Sequence, residues 1–345
     1  MLLAALQPLP WQQTIWRSLV HVERTQRLSH AFIFTGPAGI GKYHLASVYA
    51  RYLLCERVPA ELLETACGAC QNCRLMQANT HPDYHLLEPQ DQSKVIKIDQ
   101  IRQLTSDLSK TAMLSGRRVV VIQPAEAMNE AAANALLKSL EEPGAATVFL
   151  LVTHQLSLLP VTIRSRCQCV RLAAPTEAIG FAWLQRQWSE CQISLTPEQQ
   201  LAVWGLAGSV PLIALQWTQQ DVLPLLEATR GFAQDLIALQ QKKCMPLPCV
   251  VRWQKSDFSF TLITAWLMRW MQDWLKLLEG LDVSCLSCPH LASLWRPWLA
   301  KVTMHQIIIF LDDVSKIRQQ QQKQQALNET LLLENLLIGW SSSTH

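Results

Sequence analysis

Residues 36–43 read Gly-Pro-Ala-Gly-Ile-Gly-Lys-Tyr. Gly36, Gly39, Gly41 and Lys42 have the spacing of a loop that converges backbone N–H groups on phosphate oxygens and reaches the terminal phosphates with one ammonium. The full pattern, G-x-x-x-x-G-K-[ST], adds a hydroxyl after the lysine as a magnesium ligand. Here that position holds Tyr43, and His44 follows. Nucleotide hydrolysis also needs carboxylates at the end of a second strand, to hold the metal and orient the attacking water. The apolar run Val119-Val120-Val121-Ile122 is followed by Gln123 and Pro124 instead. Glu126 comes two residues later, a position that reads as too late to substitute. With both metal-holding parts missing, the loop is expected to bind ATP weakly if at all and not to hydrolyse it.

Cys55, Cys67, Cys70 and Cys73 form a second constellation, C-x11-C-x2-C-x2-C. Two consecutive C-x2-C steps gather three thiolates around one point, and Cys55 can close the tetrahedron. Four thiolates suit a closed structural Zn²⁺ site with no open position for chemistry. Reduced thiols, disulfides or another metal are the alternatives. Cys285 and Cys288 are another C-x2-C without a nearby partner pair, and read as structural or incidental. Cys167, Cys169, Cys191, Cys244 and Cys249 read the same way.

The chain has 345 residues, 49% hydrophobic and 17% charged, enough for two or three domains with sizeable cores. Its net charge of +3 argues against a strong autonomous nucleic-acid binder. The stretch Met1–Pro10 lacks the basic start of a signal peptide and is broken by Gln7, Pro8 and Pro10. No run reaches the ~18 apolar residues of a membrane span. A cytoplasmic location is expected, where the 11 cysteines stay reduced and a tight cluster points to metal.

These residues need elements to hold them. Strand signals are expected at 30–34, 118–122 and 147–152, with helices from Lys42 to about Leu54 and from Glu130 to Glu142. The alternation implies a parallel sheet covered by helices on both faces. Beyond about Arg171 the strand signal fades. Short helices fill 173–212, with stops at Pro175, Gly205 and Gly208-Ser209-Val210-Pro211. The remainder is helical. Trp266, Trp270 and Trp274 recur every four residues, as a packing stripe does. The glutamine-rich run 319–325 reads as a polar helix face or a helix connection.

Asn134-Ala135-Leu136-Leu137-Lys138-Ser139-Leu140-Glu141-Glu142-Pro143, a strand, and then Ile163-Arg164-Ser165-Arg166-Cys167 resemble the bacterial clamp-loader branch of the AAA+ ATPases. The four-cysteine insertion before Thr80-His81-Pro82-Asp83 is similar to that family too. The resemblance spans about residues 8–212. It implies a RecA-like α/β AAA+ domain over 1–172 with an inserted four-cysteine zinc module at 55–73. A small helical lid over 173–212 and an all-α collar for oligomerisation over 213–345 complete the expected architecture.

Active members of the family keep Lys-Thr/Ser, Asp-Glu and a nucleotide-sensing arginine. The last would stand where this chain has Pro211. Three losses beside an intact Ser165-Arg166-Cys167 resemble the rigid, non-hydrolysing member of the five-subunit ring. That resemblance implies a subunit that helps load the sliding clamp on primer–template DNA. It would contact an ATPase subunit on one side and face the clamp-opening subunit across the ring. It further implies that Arg166, rather than Arg164, enters the neighbour's nucleotide site as an arginine finger. Thr153 matches the family's γ-phosphate-sensing position, although a strand-capping role reads equally well. Two other readings stand beside this one: a divergent ATPase using Lys42 and Glu126, and a zinc-dependent nucleic-acid module. The stretch 67–73 contains no Lys or Arg, poor equipment for phosphate contacts. Collar tryptophans Trp253, Trp266, Trp270, Trp274, Trp295 and Trp298 are compatible with an internal core and with a ring contact.

Overall fold

The structure, a computed structural model, describes residues 6–58, 64–90, 93–108, 112–114, 116–144, 146–322 and 328–342. It divides into two compact units, residues 1–180 and 181–345.

The first unit is built on five parallel strands, β1 (Ala31–Thr35), β2 (Tyr84–Leu87), β3 (Arg118–Ile122), β4 (Thr147–Thr153) and β5 (Gln168–Arg171). Their order across the sheet is β2-β3-β4-β1-β5. Its helices are α1 (Gln13–Arg24), α2 (Lys42–Leu54), α3 (Gln71–Gln77), α4 (Ile98–Leu108), α5 (Glu130–Glu141) and α6 (Val161–Arg164). Every residue of β1, β3 and β4 is buried. That is the consequence of covering both faces of a parallel sheet, and it is why these three strands read as continuous apolar runs.

Side chains alternate between the faces. Phe32 pairs with Leu150, and both join Val119 and Val121 in a core with Trp16 and Leu19 of α1 and Leu45 and Tyr49 of α2. Ile33 pairs with Leu151, and both join Val120 and Ile122 in the opposite core, against Ile101 and Leu104 of α4 and Leu136 and Leu140 of α5. Three of these strands are expected from the sequence. The other two, β2 and β5, are the edges of the sheet, short and partly exposed, so neither carries an uninterrupted apolar run.

The helices that follow are α7 (Glu177–Glu190), α8 (Pro197–Leu206), α9 (Pro211–Thr218), α10 (Leu223–Gln240), α11 (Pro246–Gln254), α12 (Phe260–Leu278), α13 (Ala292–Leu299), α14 (Met304–Gln322) and α15 (Glu329–Ser342). Proline opens α8 and α9, where its missing N–H costs nothing. Thr196 and Gln199 form a capping box before α8. In the second unit the Trp266–Trp270–Trp274 face lies in one core with Trp253, Trp295, Trp298 and Trp340. None of the seven indoles is more than 3% exposed, so these rings are internal packing. Trp266 Nε1 and Arg269 Nη1 donate to the Leu206 carbonyl, joining α12 to the end of α8. Of the glutamine-rich run, residues 319–322 continue α14 and residues 323–325 lie outside the described residues.

Candidate functional site

The glycine-rich loop joins β1 to α2, as the sequence predicts. Gly36 has φ 151°, and a Cβ there would lie 2.3 Å from the Leu172 carbonyl oxygen. Gly41 has φ 82° and forms the left-handed N-cap of α2. Backbone N–H groups at this helix start therefore face the loop, the arrangement that attracts phosphate.

The rest of the loop is tied down from within. Lys42, 3% exposed, donates from Nζ to the carbonyls of Gly36 at 2.7 Å and Pro37 at 2.5 Å. Burial pulls its pKa down to about 8, with the Glu126 charge acting in the opposite direction. Trp11 Nε1 donates to the Ile40 carbonyl at 2.9 Å. Gln12 Nε2 donates to Ile40 O at 3.1 Å and Gly41 O at 2.8 Å. No local pattern marks Trp11 or Gln12, because they lie far from the loop along the chain.

Tyr43 turns away from the role a hydroxyl would have. It lies partly buried in α2 against the core, near Tyr84, and burial first, then Glu88, push its phenol pKa up. A neutral, partly buried phenol at this place is no substitute for a metal-binding serine or threonine. His44 Nε2 donates to the Gln7 carbonyl at 2.9 Å.

Glu126 lies nearer the loop than its sequence position implies. It sits on a 3-10 turn, Ala125–Ala127, at the end of β3, and its Oε1 accepts from the His154 N–H at 2.8 Å. Its charge acts on both Lys42 and His154, and the His154 pKa is held down by burial and by Lys42. The carboxylate is thus anchored between the ends of β3 and β4. Thr153, the last residue of β4, is fully buried, and its hydroxyl donates to Gln155 O and accepts from Gln155 N, both at 3.2 Å. That is a strand cap.

Arg166 follows α6 and is partly exposed. Its Nη1 donates to the Thr162 carbonyl at 2.9 Å and to Ser165 Oγ at 3.3 Å. Its Nη2 lies 2.6 Å from Glu141 Oε1, at the C-terminus of α5. Val161 and Leu158 are exposed nearby in the chain, at 67% and 38%. Cys167 packs against the core that holds Ile33 and Leu151, and burial pushes its thiol up to about 12. Arg164 Nε is buried without a hydrogen-bond partner.

The four predicted cysteines come together. The sulfurs of Cys55, Cys67, Cys70 and Cys73 all lie within 4.8 Å of one another. The Cys55–Cys70 and Cys67–Cys73 separations are 4.0 and 3.9 Å. A tetrahedron of thiolates ~2.3 Å from zinc has edges of about 3.8 Å, so the donor set fits. Backbone N–H groups of Cys67, Ala69, Cys70 and Cys73 donate to these sulfurs. For Cys67 burial works against ionisation, yet the Ala69 and Cys70 donors bring the thiol down to about 7. The four residues could therefore hold a metal ion. The cluster is bound to the sheet domain: Asn72 Nδ2 donates to Leu54 O at 2.9 Å, and Trp16 Nε1 to Glu64 O at 3.0 Å. Among the described residues, Cys285 and Cys288 belong to no such cluster. Cys285 is exposed, whereas Cys288 is buried beside Asp273, which accepts its N–H.

Residues 11–176 match the family described as DNA polymerase III, delta subunit, and residues 217–342 match its C-terminal family. The DNA polymerase III subunit delta' of Pseudomonas aeruginosa is 37% identical over 333 residues, covering 96% of this chain and 97% of that protein. That of Yersinia pestis is 32% identical over 335 residues, covering 97% and 95%. That of Escherichia coli K12 is 31% identical over 331 residues, covering 95% and 94%. With a buried parallel sheet, a degenerate phosphate loop, a four-cysteine cluster and full-length similarity of this order, the chain belongs to the DNA polymerase III delta' subunit family.

Proposed function

We propose that this chain is a non-hydrolysing subunit of the DNA polymerase III clamp loader that lends Arg166 to the nucleotide site of an adjacent ATPase subunit. The observation that carries the reading is the contrast between its own loop and its arginine. Lys42 is folded onto Gly36 and Pro37, and Tyr43 stands where a metal-binding serine or threonine is needed. Arg166, by contrast, is partly exposed, with exposed Val161 and Leu158 close by in sequence, the mixture of a cation and apolar surface that a protein interface uses. A guanidinium brought to a transferring phosphoryl group stabilises the charge that develops there, an effect of roughly 10³–10⁵ in rate for arginine fingers generally.

In this reading the partners are the ATPase subunits and the clamp-opening subunit of a five-membered ring. The sliding clamp and primer–template DNA are met through the complex, in the cytoplasm. No described helix is long and apolar enough to cross a membrane. The sheet domain spans 1–172, residues 173–212 act as a lid and 213–345 as an oligomerisation collar. The tryptophans are taken up by the collar's own core, so ring contacts fall to other residues. The metal is zinc in a purely structural role, because four thiolates leave no coordination position for a substrate.

A second reading, a divergent ATPase, draws on the Glu126 carboxylate acting on Lys42. It is the weaker one, since Glu126 is already anchored by His154 N–H and no serine or threonine follows Lys42. The test is a loader reconstituted with Arg166→Ala and assayed for clamp-stimulated, DNA-dependent ATPase. The proposal expects a lower rate with an intact complex; an unchanged rate removes the finger.

A further inference from the structure

Arg166 is not a free cation. Its guanidinium is held locally by Thr162 O on its own short helix and by Ser165 Oγ, and across to a different element by the Glu141 carboxylate. The contacts differ in kind. Those to Thr162 and Ser165 are local, within four residues, and move with the arginine. The Glu141 contact is an ion pair whose side chains are 35% and 50% exposed, so water and counter-ions screen it. Such a pair orients a side chain and is exchanged readily for a stronger anion.

Glu141 is also placed where a carboxylate is not otherwise favoured. It is the last residue of α5, and Glu142 follows as the C-cap. Two negative charges at a helix C-terminus oppose the helix dipole. A cation across from them offsets that cost, which gives Arg166 a resting position.

We propose that Glu141 is a positioning residue for Arg166. It holds the guanidinium as a resident counter-ion, and the phosphates of the neighbouring subunit's nucleotide displace it. This rests on the reading of Arg166 as a finger acting in trans. When Arg166 Nη2 turns to phosphate, Glu141 loses its partner and stands as a like charge beside the nucleotide. Glu141 therefore competes with ATP for the same donor, and it weakens nucleotide engagement at the neighbouring site without taking part in bond breaking.

The experiment uses the full loader reconstituted with this chain as wild type, Glu141→Gln, Arg166→Ala or the double variant. ATP is titrated in the DNA- and clamp-stimulated ATPase assay, and kcat and KM are read separately. Glu141→Gln keeps an acceptor and removes charge from a helix end, so the chain remains folded. The proposal expects KM for ATP to fall by about two- to five-fold, the range a screened ion pair allows, with kcat held. In the Arg166→Ala background the same substitution is expected to leave KM unmoved, because a double-mutant cycle isolates the pairwise effect. Glu141→Asp should restore the wild-type KM. A KM unchanged by Glu141→Gln, or changed equally with and without Arg166, overturns the positioning role while leaving the finger intact. An Arg166→Ala loader with wild-type kinetics removes the finger itself, and this inference with it.

Discussion

Lys42 Nζ lies 2.7 Å from the Gly36 carbonyl oxygen and so closes the glycine-rich loop on itself. The cation that would meet a nucleotide's terminal phosphates is instead bonded to two carbonyls of its own loop, Gly36 and Pro37. Trp11 and Gln12 hold the carbonyls of Ile40 and Gly41 at the other end. The loop keeps its shape through internal hydrogen bonds.

The purified chain is therefore expected to turn over no ATP. Release of radiolabelled phosphate should match buffer alone, and Glu126→Gln should change nothing. Turnover that disappears in Lys42→Ala would establish the divergent-ATPase reading in place of the proposed one.

Lys42 also predicts a pH dependence. Its pKa is about 8 in the folded chain, against 10.5 for an ordinary lysine. Between those values the unfolded chain binds the proton that the folded chain has released, so folding stability rises with pH. Below about pH 8 both states are protonated, and the cost of burying the charge is constant. Urea denaturation of wild type and Lys42→Met at pH 7.5 and 9.5 isolates this contribution from the buried tyrosines. Wild type should gain relative to the variant at the higher pH; a constant difference between the two proteins would show that Lys42 does not titrate in this window.

Elemental analysis should find about one zinc per chain. Cys70→Ser should lose the metal and destabilise the first unit by at least ~3 kcal/mol, a fraction of the ~10–16 kcal/mol that structural zinc supplies in small peptides. Proteolysis with and without a chelator would report it. Full metal retention in the variant would mean that these four thiols are not the ligand set.

Gly205 predicts a steric failure in the second unit. A Cβ at this position would stand 1.6 Å from the Ser287 carbonyl oxygen and 2.7 Å from its carbon, both backbone atoms that have no rotamer to yield. Ser287 is fixed in turn by the fully buried Asp273, which accepts from its N–H at 2.8 Å. Gly205→Ala should cost about 3 kcal/mol, measured as a lower denaturation midpoint, because overpacking here displaces backbone rather than a side chain. An alanine variant as stable as wild type would show that the segment 283–289 moves freely.

Much of this protein was legible in its residues alone. Local patterns are self-contained. The spacing of Gly36, Gly41 and Lys42 marks the loop, the three buried strands appear as unbroken apolar runs, and the cysteine spacing announces a cluster. The helical periodicity of Trp266, Trp270 and Trp274 predicts a core face for the same reason. Tertiary structure decided what depends on residues far apart in the chain. The edge strands β2 and β5 exist because neighbouring strands pair with them, and their own apolar signal is too weak to reveal them. Glu126 meets the His154 N–H because β3 and β4 end side by side, a proximity that counting residues hides. Lys42 is bonded to loop carbonyls, Arg166 rests on Glu141 and the tryptophans close on one another. Each of these is a matter of where side chains go once the backbone is folded, and spacing along a chain contains no term for it.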